Sequence, residues 1–184
     1  TITVIKEVIV DHGGNEKPDD FGLSVDSSTV LSGNTGMFAV GNHTINENQL
    51  TGYELQGIVC DGNNGSSDTL PYVVNVEEGE DIVCTITNDD LDPYITLYKQ
   101  VNNNFGGNAG ENDFGLATDG NSVLSGDKVE VDANTDIALN EAGLTGYKFV
   151  SITGDAKCPS QLGVPIKLDE GDDITCTIVN EDIP

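Results

Sequence analysis

Over residues 2–10 apolar and polar side chains alternate with the two-residue period of a β-strand, and one face carries Ile2, Val4, Lys6, Val8 and Val10. Lys6 is thus a cation in a row that belongs to the core, where an unanswered ammonium is strongly disfavoured. The same row returns as Ile95, Leu97, Lys99 and Val101. Further short runs predict strands at 21–25, 38–40, 43–46, 53–60, 72–76 and 82–87, and again at 114–117, separated by Gly, Asn and Asp turns. No stretch has a helical period. Short, evenly spaced strands with turn signals predict an all-β chain of the sandwich type.

The chain is a duplication. Asp20-Phe21-Gly22-Leu23 answers to Asp113-Phe114-Gly115-Leu116, and Val30-Leu31-Ser32-Gly33 to Val123-Leu124-Ser125-Gly126. Leu50-Thr51-Gly52-Tyr53 matches Leu144-Thr145-Gly146-Tyr147, and Cys84-Thr85-Ile86-Thr87-Asn88 matches Cys176-Thr177-Ile178-Val179-Asn180. The repeat implies two domains, 1–91 and 92–184, each near the size at which a lone core is only marginally stable. The short, proline-closed junction at Pro93 favours a stiff head-to-tail arrangement, read as two links of a longer array of like copies.

Charge narrows the function. The net charge is −25, with seven lysines and no arginine, which excludes a nucleic-acid partner. The four cysteines fall as one pair per half, Cys60 with Cys84 and Cys158 with Cys176, and none has the spacing of a zinc clamp. One disulfide per half follows, and with it an oxidising, extracellular or cell-surface setting. Sequons at Asn42 and Asn64 are compatible with that setting. No apolar run is long enough for a transmembrane segment, and no signal peptide is expected within these residues.

The last strand of each half alternates Ile82, Cys84, Ile86, Asn88 and Ile174, Cys176, Ile178, Asn180, which puts an asparagine in the core row. Mid-unit, Glu47 shares a face with Ile45, and Glu141 with Ile137 and Leu139. If first and last strands are neighbours, lysine, glutamate and asparagine meet. Desolvation lowers a lysine pKa and raises that of a glutamate, so a neutral amine can attack the carboxamide while the carboxyl moves the protons. Loss of ammonia then leaves a Lys–Asn isopeptide bond. The other outcome is a buried Lys–Glu salt bridge with asparagine hydrogen-bonded nearby, or a lysine that reaches water at an open strand end.

Lysine in the first strand, a central glutamate followed by Gly-Tyr, and Thr-Ile-Thr-Asn at the end resemble the B-type repeat of collagen-binding adhesins, the SpaA-like or prealbumin-like domain. The resemblance implies two tandem Ig-like or prealbumin-like, transthyretin-like β-sandwich domains joined by a short linker, used as structural modules of fibres, pili and adhesin stalks. It also implies isopeptide partners Lys6 with Asn88 and Lys99 with Asn180, with Glu47 and Glu141 as the catalytic carboxyls of that single turnover. No other enzymatic activity and no cofactor is expected.

The alternative class is an extracellular binding module for a glycan, a protein or calcium, using the 60–72 loop or an acidic face. Acidic turns at 77–81 and 169–173, with Asp89, Asp90 and Asp92, offer oxygen ligands but lack the spacing of known calcium loops. They read as solvated turns, and no metal site is assigned. His12 and His43 have no recurring partners, which argues against a hydrolytic triad.

Overall fold

Parallel pairing of the first strand with the last organises each half of the molecule. The computed structural model describes every residue of Thr1–Pro184 except Asn63, and the chain divides into two units, Thr1–Leu91 and Asp92–Pro184. Unit 1 contains β1 (Ile2–Ile9), β2 (Ser24–Val25), β3 (Ser28–Thr29), β4 (Thr35–Gly36), β5 (Gly41–Asn46), β6 (Tyr53–Cys60), β7 (Ser66–Ser67), β8 (Tyr72–Val76) and β9 (Ile82–Asp90). They form one sheet in the order β4-β1-β9-β6-β7 and a second in the order β3-β2-β5-β8.

Each sheet contributes one apolar face. Ile2 and Val4 of β1, Ile58 of β6 and Ile82, Cys84 and Ile86 of β9 pack with Val25, Ile45, Val74 and Val76 of the second sheet in one core. The core-facing residues are those that the alternation assigns in β9, and in β1 as far as Lys6, because a two-residue period sends every second side chain inward. Val8 is only half-buried, and Val10, placed on that row by the alternation, lies past the end of the strand and is exposed.

Unit 2 repeats the plan with β10 (Tyr94–Asn102), β11 (Gly115–Thr118), β12 (Asn121–Val123), β13 (Lys128–Glu130), β14 (Leu139–Ala142), β15 (Tyr147–Gly154) and β16 (Asp173–Asp182). Its sheets run β13-β10-β16-β15 and β12-β11-β14. Ile95, Leu97, Leu116, Leu139, Leu168, Ile174 and Ile178 form its core. Both units are two-sheet β-sandwiches, and the residues between β9 and β10 are 91–93.

The repeated Leu-Ser-Gly step has a backbone role. Ser32 Oγ accepts the N–H of Lys6 at 2.9 Å, and Gly33 N–H donates to Val4 O at 2.8 Å. Ser125 and Gly126 do the same for Lys99 and Leu97, at 3.0 and 2.9 Å. These bonds satisfy the outer edge of the lysine strand just ahead of its pairing with β4 or β13.

Two strand expectations are corrected. Residues 21–25 are not one strand: Pro18–Phe21 forms a 3-10 turn that ends at Gly22 in the left-handed region, and only Ser24–Val25 is extended and paired. Proline presets the first turn, and Phe21 drops its ring into the interior. Residues 38–40 are not a strand either. The strand lies at Thr35–Gly36 against β1, after which the Phe38 ring turns edge-on to His43, with centroids 5.2 Å apart. Among the described residues, no helix is long and apolar enough to cross a membrane.

Candidate functional site

The register of β1 on β9 pairs Lys6 with Ile86 and Val8 with Asn88, so the asparagine stands one same-face step beyond the residue opposite the lysine. Glu47 immediately follows β5, on the opposing sheet. Amine and carboxamide therefore come from one sheet and the carboxylate from the other, and they meet in the interior. Lys6 Nζ donates to Asn88 Oδ1 at 2.6 Å and lies 3.3 Å from Glu47 Oε2. The ammonium also sits over the Phe21 ring, 4.3 Å from its centroid.

Unit 2 assembles the same groups. The register pairs Lys99 with Ile178 and Val101 with Asn180. Lys99 Nζ lies 3.1 Å from Glu141 Oε2 and donates to Ile178 O at 3.3 Å, beneath the Phe114 ring at 4.4 Å. Asn180 Nδ2 donates to Glu141 Oε1 at 2.7 Å. The two carboxamides are turned in opposite senses. In unit 1 the carbonyl oxygen meets the amine and Nδ2 has no hydrogen-bond partner, whereas in unit 2 the amide nitrogen meets the carboxylate and Oδ1 has none.

The electrostatics follow from burial. Lys6 and Lys99 are 3% and 5% exposed. Burial pushes both amines below the ordinary lysine range, and the adjacent Glu47 and Glu141 oppose the shift. A lysine so placed has more of the neutral, nucleophilic form than one in water.

Phe21 and Phe114 belong to the site although the alternation pattern gives them no role in it. The signal was the recurrence of Asp-Phe-Gly-Leu, whose aromatic face covers the ammonium in both copies; a partly desolvated cation–π contact contributes about 0.5–2 kcal/mol. Tyr53 and Tyr147 pack edge-on against those rings, with centroids 5.4 and 5.5 Å apart.

The tyrosine hydroxyls do further work beside an aspartate at the end of each last strand. Asp90 accepts the N–H groups of Asp11, His12 and Gly14, the last at 2.6 Å, while Tyr53 Oη accepts those of Asn15 and Glu16 at 3.1 Å. In unit 2, Asp182 accepts from Asn104, Phe105 and Gly107, and Tyr147 Oη from Ala109. Asp90 is thus a buried cap for the turn after β1. Of the other acidic clusters, Asp169 and Asp172 are ion-paired with Lys157, and Glu80 takes the N–H of Glu77.

Both disulfides are present, Cys60–Cys84 and Cys158–Cys176. Their closed loops are of the length for which the chain-entropy account gives about 3 kcal/mol each. The bridges are not equivalent. Cys60 is the register partner of Cys84, but the partner of Cys176 is Gly154, and the bond comes from Cys158 farther along the loop. At Gly154 φ is +136°, and a Cβ there would collide with Thr175 O, so a cysteine has no room at that position.

The histidines differ from one another. His12 Nδ1 lies 3.1 Å from Asp11 Oδ1. His43 Nδ1 lies 2.6 Å from Asp26 Oδ2 and its Nε2 is 2.8 Å from Ala39 O. The Asp26 contact raises the imidazole pKa.

The family model of the SpaA_2 prealbumin-like fold domain matches residues 1–86 and 90–178. Among solved structures, the major pilin from Streptococcus pyogenes is 11% identical, with 100% of this chain and 98% of that chain covered and a TM-score of 0.40. The major pilin protein T3.2 from Streptococcus pyogenes is 17% identical, with 78% of this chain and 68% of that chain covered and a TM-score of 0.37. The corresponding values for the T-13 major pilin protein of the same species are 18%, 84%, 72% and 0.38. No curated protein matches the chain.

Proposed function

The chain belongs to the SpaA-type prealbumin-like domain family, and from that premise we propose that it is a structural module of an extracellular fibre, pilus or adhesin stalk, each domain closed by its disulfide and by a Lys–Asn isopeptide bond. The observation that carries the reading is the buried triad, built twice: an amine with a depressed pKa, a carboxylate from the facing sheet and a carboxamide from the neighbouring strand. Two successive units joined by three residues suit a longer head-to-tail array of such modules, and the disulfides suit an oxidising cell exterior.

The chemistry needs nothing beyond these side chains. The neutral Nζ of Lys6 attacks Cγ of Asn88, and Glu47 accepts the proton that the attacking nitrogen sheds. The carboxyl then returns that proton to Nδ2 as the Cγ–Nδ2 bond breaks. One ammonia leaves and an Nζ–Cγ amide remains. Lys99, Asn180 and Glu141 perform the same step in unit 2. Each site turns over once, and the product removes a charge that the interior otherwise has to hold.

Intact mass of the purified, reduced chain tests the proposal. The expected mass is lower than that of the sequence by two ammonias; the full sequence mass overturns the crosslinks.

A further inference from the structure

The two units differ at one corner of the sandwich. In unit 1, Asp26 follows β2 with φ of 48°, and its carboxylate accepts the N–H of Thr44 at 2.9 Å while it binds the His43 ring. The imidazole reaches on to Ala39 O, and Phe38 packs against it, so this corner is filled by the unit's own planar cation and its aromatic neighbour.

Strand register carries each of these positions into unit 2. Val25 pairs with Ile45, and Thr118 pairs with Leu139, so Thr118 stands where unit 1 has Val25. Asp119 then stands for Asp26, with φ of 47°, and Asp119 N–H donates to Ala138 O as Asp26 N–H does to Thr44 O. On the same alignment Ile137 replaces His43. Ile2 pairs with Gly36 and Ile95 with Val129, which puts Val131 in place of Phe38.

The carboxylate is therefore kept and its filler is lost. What remains is a cleft of about 210 Å³ lined by Thr118, Asp119, Val129, Val131, Asp132 and Ile137. That is below the size of pockets for drug-sized ligands, about 300–1,000 Å³, and suits a single side chain. A second, independent feature points to an occupant. Thr118 lines the cleft, is 1% exposed, and its hydroxyl has no hydrogen-bond partner, although unit 1 serves the same position with a valine of nearly the same shape. A buried, unpartnered hydroxyl in place of a methyl is a group waiting for a polar neighbour.

We propose that this cleft is a receptor for one arginine side chain of a partner protein. The planar guanidinium reproduces the His43 plan, with one edge on the carboxylate of Asp119, and its spare N–H groups reach the Thr118 hydroxyl. The arginine stem lies along Val129, Val131 and Ile137. The 184 residues contain no arginine, and their net charge of −25 draws a cationic partner. A lysine ammonium lacks the flat, forked set of donors.

The test is amide-resolved NMR of the intact chain titrated with N-acetyl-arginine amide. Saturable shifts are expected at Thr118, Asp119, Val131 and Ile137, with none at Asp26, where His43 occupies the corner. Asp119→Asn tolerates the left-handed backbone and is expected to weaken binding by roughly tenfold or more, as is replacement of the probe by N-acetyl-lysine amide. His43→Ala is expected to open a second site at Asp26. Shifts that spread over the acidic surface without saturating, binding that survives Asp119→Asn, or equal binding of the lysine probe overturns the assignment.

Discussion

Lys6 and Asn88 lie on neighbouring parallel strands two positions out of register, and the amine spans that offset to reach Oδ1 at 2.6 Å. An in-register asparagine would face a neighbour across the ladder, whereas the staggered one lies within reach of a long side chain that leans along its strand. Glu47 approaches from the opposing sheet, so the three groups converge without any one strand having to bend.

Removing the acid should expose how much the triad matters. On the proposed crosslink, Glu47→Gln is expected to retain one ammonia more than the parent chain, and to leave Lys6 buried without a counter-charge. A buried charge stripped of its partner costs about 3–5 kcal/mol. Calorimetry should show unit 1 melting early and unit 2 unchanged, with Glu141→Gln giving the reverse. Intact mass of each variant identifies which bond is missing.

The pH response of a chain that cannot close offers a separate check. In Asn88→Ala, Lys6 keeps its amine and Glu47 but has no carboxamide to attack. Its folded-state pKa is depressed, so between that value and the ordinary 10.5 the unfolded chain binds more protons than the folded one. Stability should therefore rise as pH climbs through that interval. Urea unfolding of unit 1 across alkaline pH measures the slope, and a closed wild-type domain should lack this contribution.

His43 gives the opposite slope. Its pKa is raised, first by the hydrogen bond to Asp26, so its contribution is complete below the unfolded value of 6.5 and is lost as pH rises through the folded value. Asp26 is shifted down, first by the Thr44 N–H and then by His43, so its contribution holds above 3.8 and is lost as pH falls through its own folded value. NMR titration of the imidazole should report a pKa above 6.5, and Asp26→Asn should return it toward that value.

Gly14 is held by closeness rather than by a positive φ. A Cβ there would lie 2.5 Å from Tyr53 Oη and 2.7 Å from Asp90 Oδ2, inside the cap that closes the turn after β1. Gly14→Ala should displace Asp90 and destabilise unit 1 by about 1–3 kcal/mol, the range for forced overpacking. Gly33→Ala has nothing within 4 Å to meet, although its φ of 79° disfavours any side chain. Comparing the two melting shifts separates collision from backbone strain.

Much of this was legible in the sequence because the residues concerned are out of place by simple rules. A lysine, a glutamate and an asparagine on apolar rows each announce a buried polar group, and duplication shows which of them recur together. The alternation of residues 2–6 and 82–88 assigned the core faces of β1 and β9, because burial of one face fixes the period, but it carried the row on to Val10, where the strand has ended and the side chain is exposed. Less legible were positions set by contacts distant in sequence. Phe38 reads as part of a strand, yet its ring is needed against His43, and Phe21 reads likewise, yet a proline-started turn delivers it over the lysine. The cap formed by Asp90 and Tyr53 also escaped sequence reasoning. An aspartate in an acidic run looks solvated unless one knows that the backbone N–H groups of another turn are aimed at it.

The parallel pairing of β1 with β9 also sets how a unit meets force. A tug between the start of β1 and the end of β9 slides the two strands lengthwise, so the eight register pairs from Ile2–Ile82 to Ile9–Asp89 share the load at once instead of unzipping in turn. Lys6 and Asn88 bridge these two strands, which puts any bond between them directly in the line of tension.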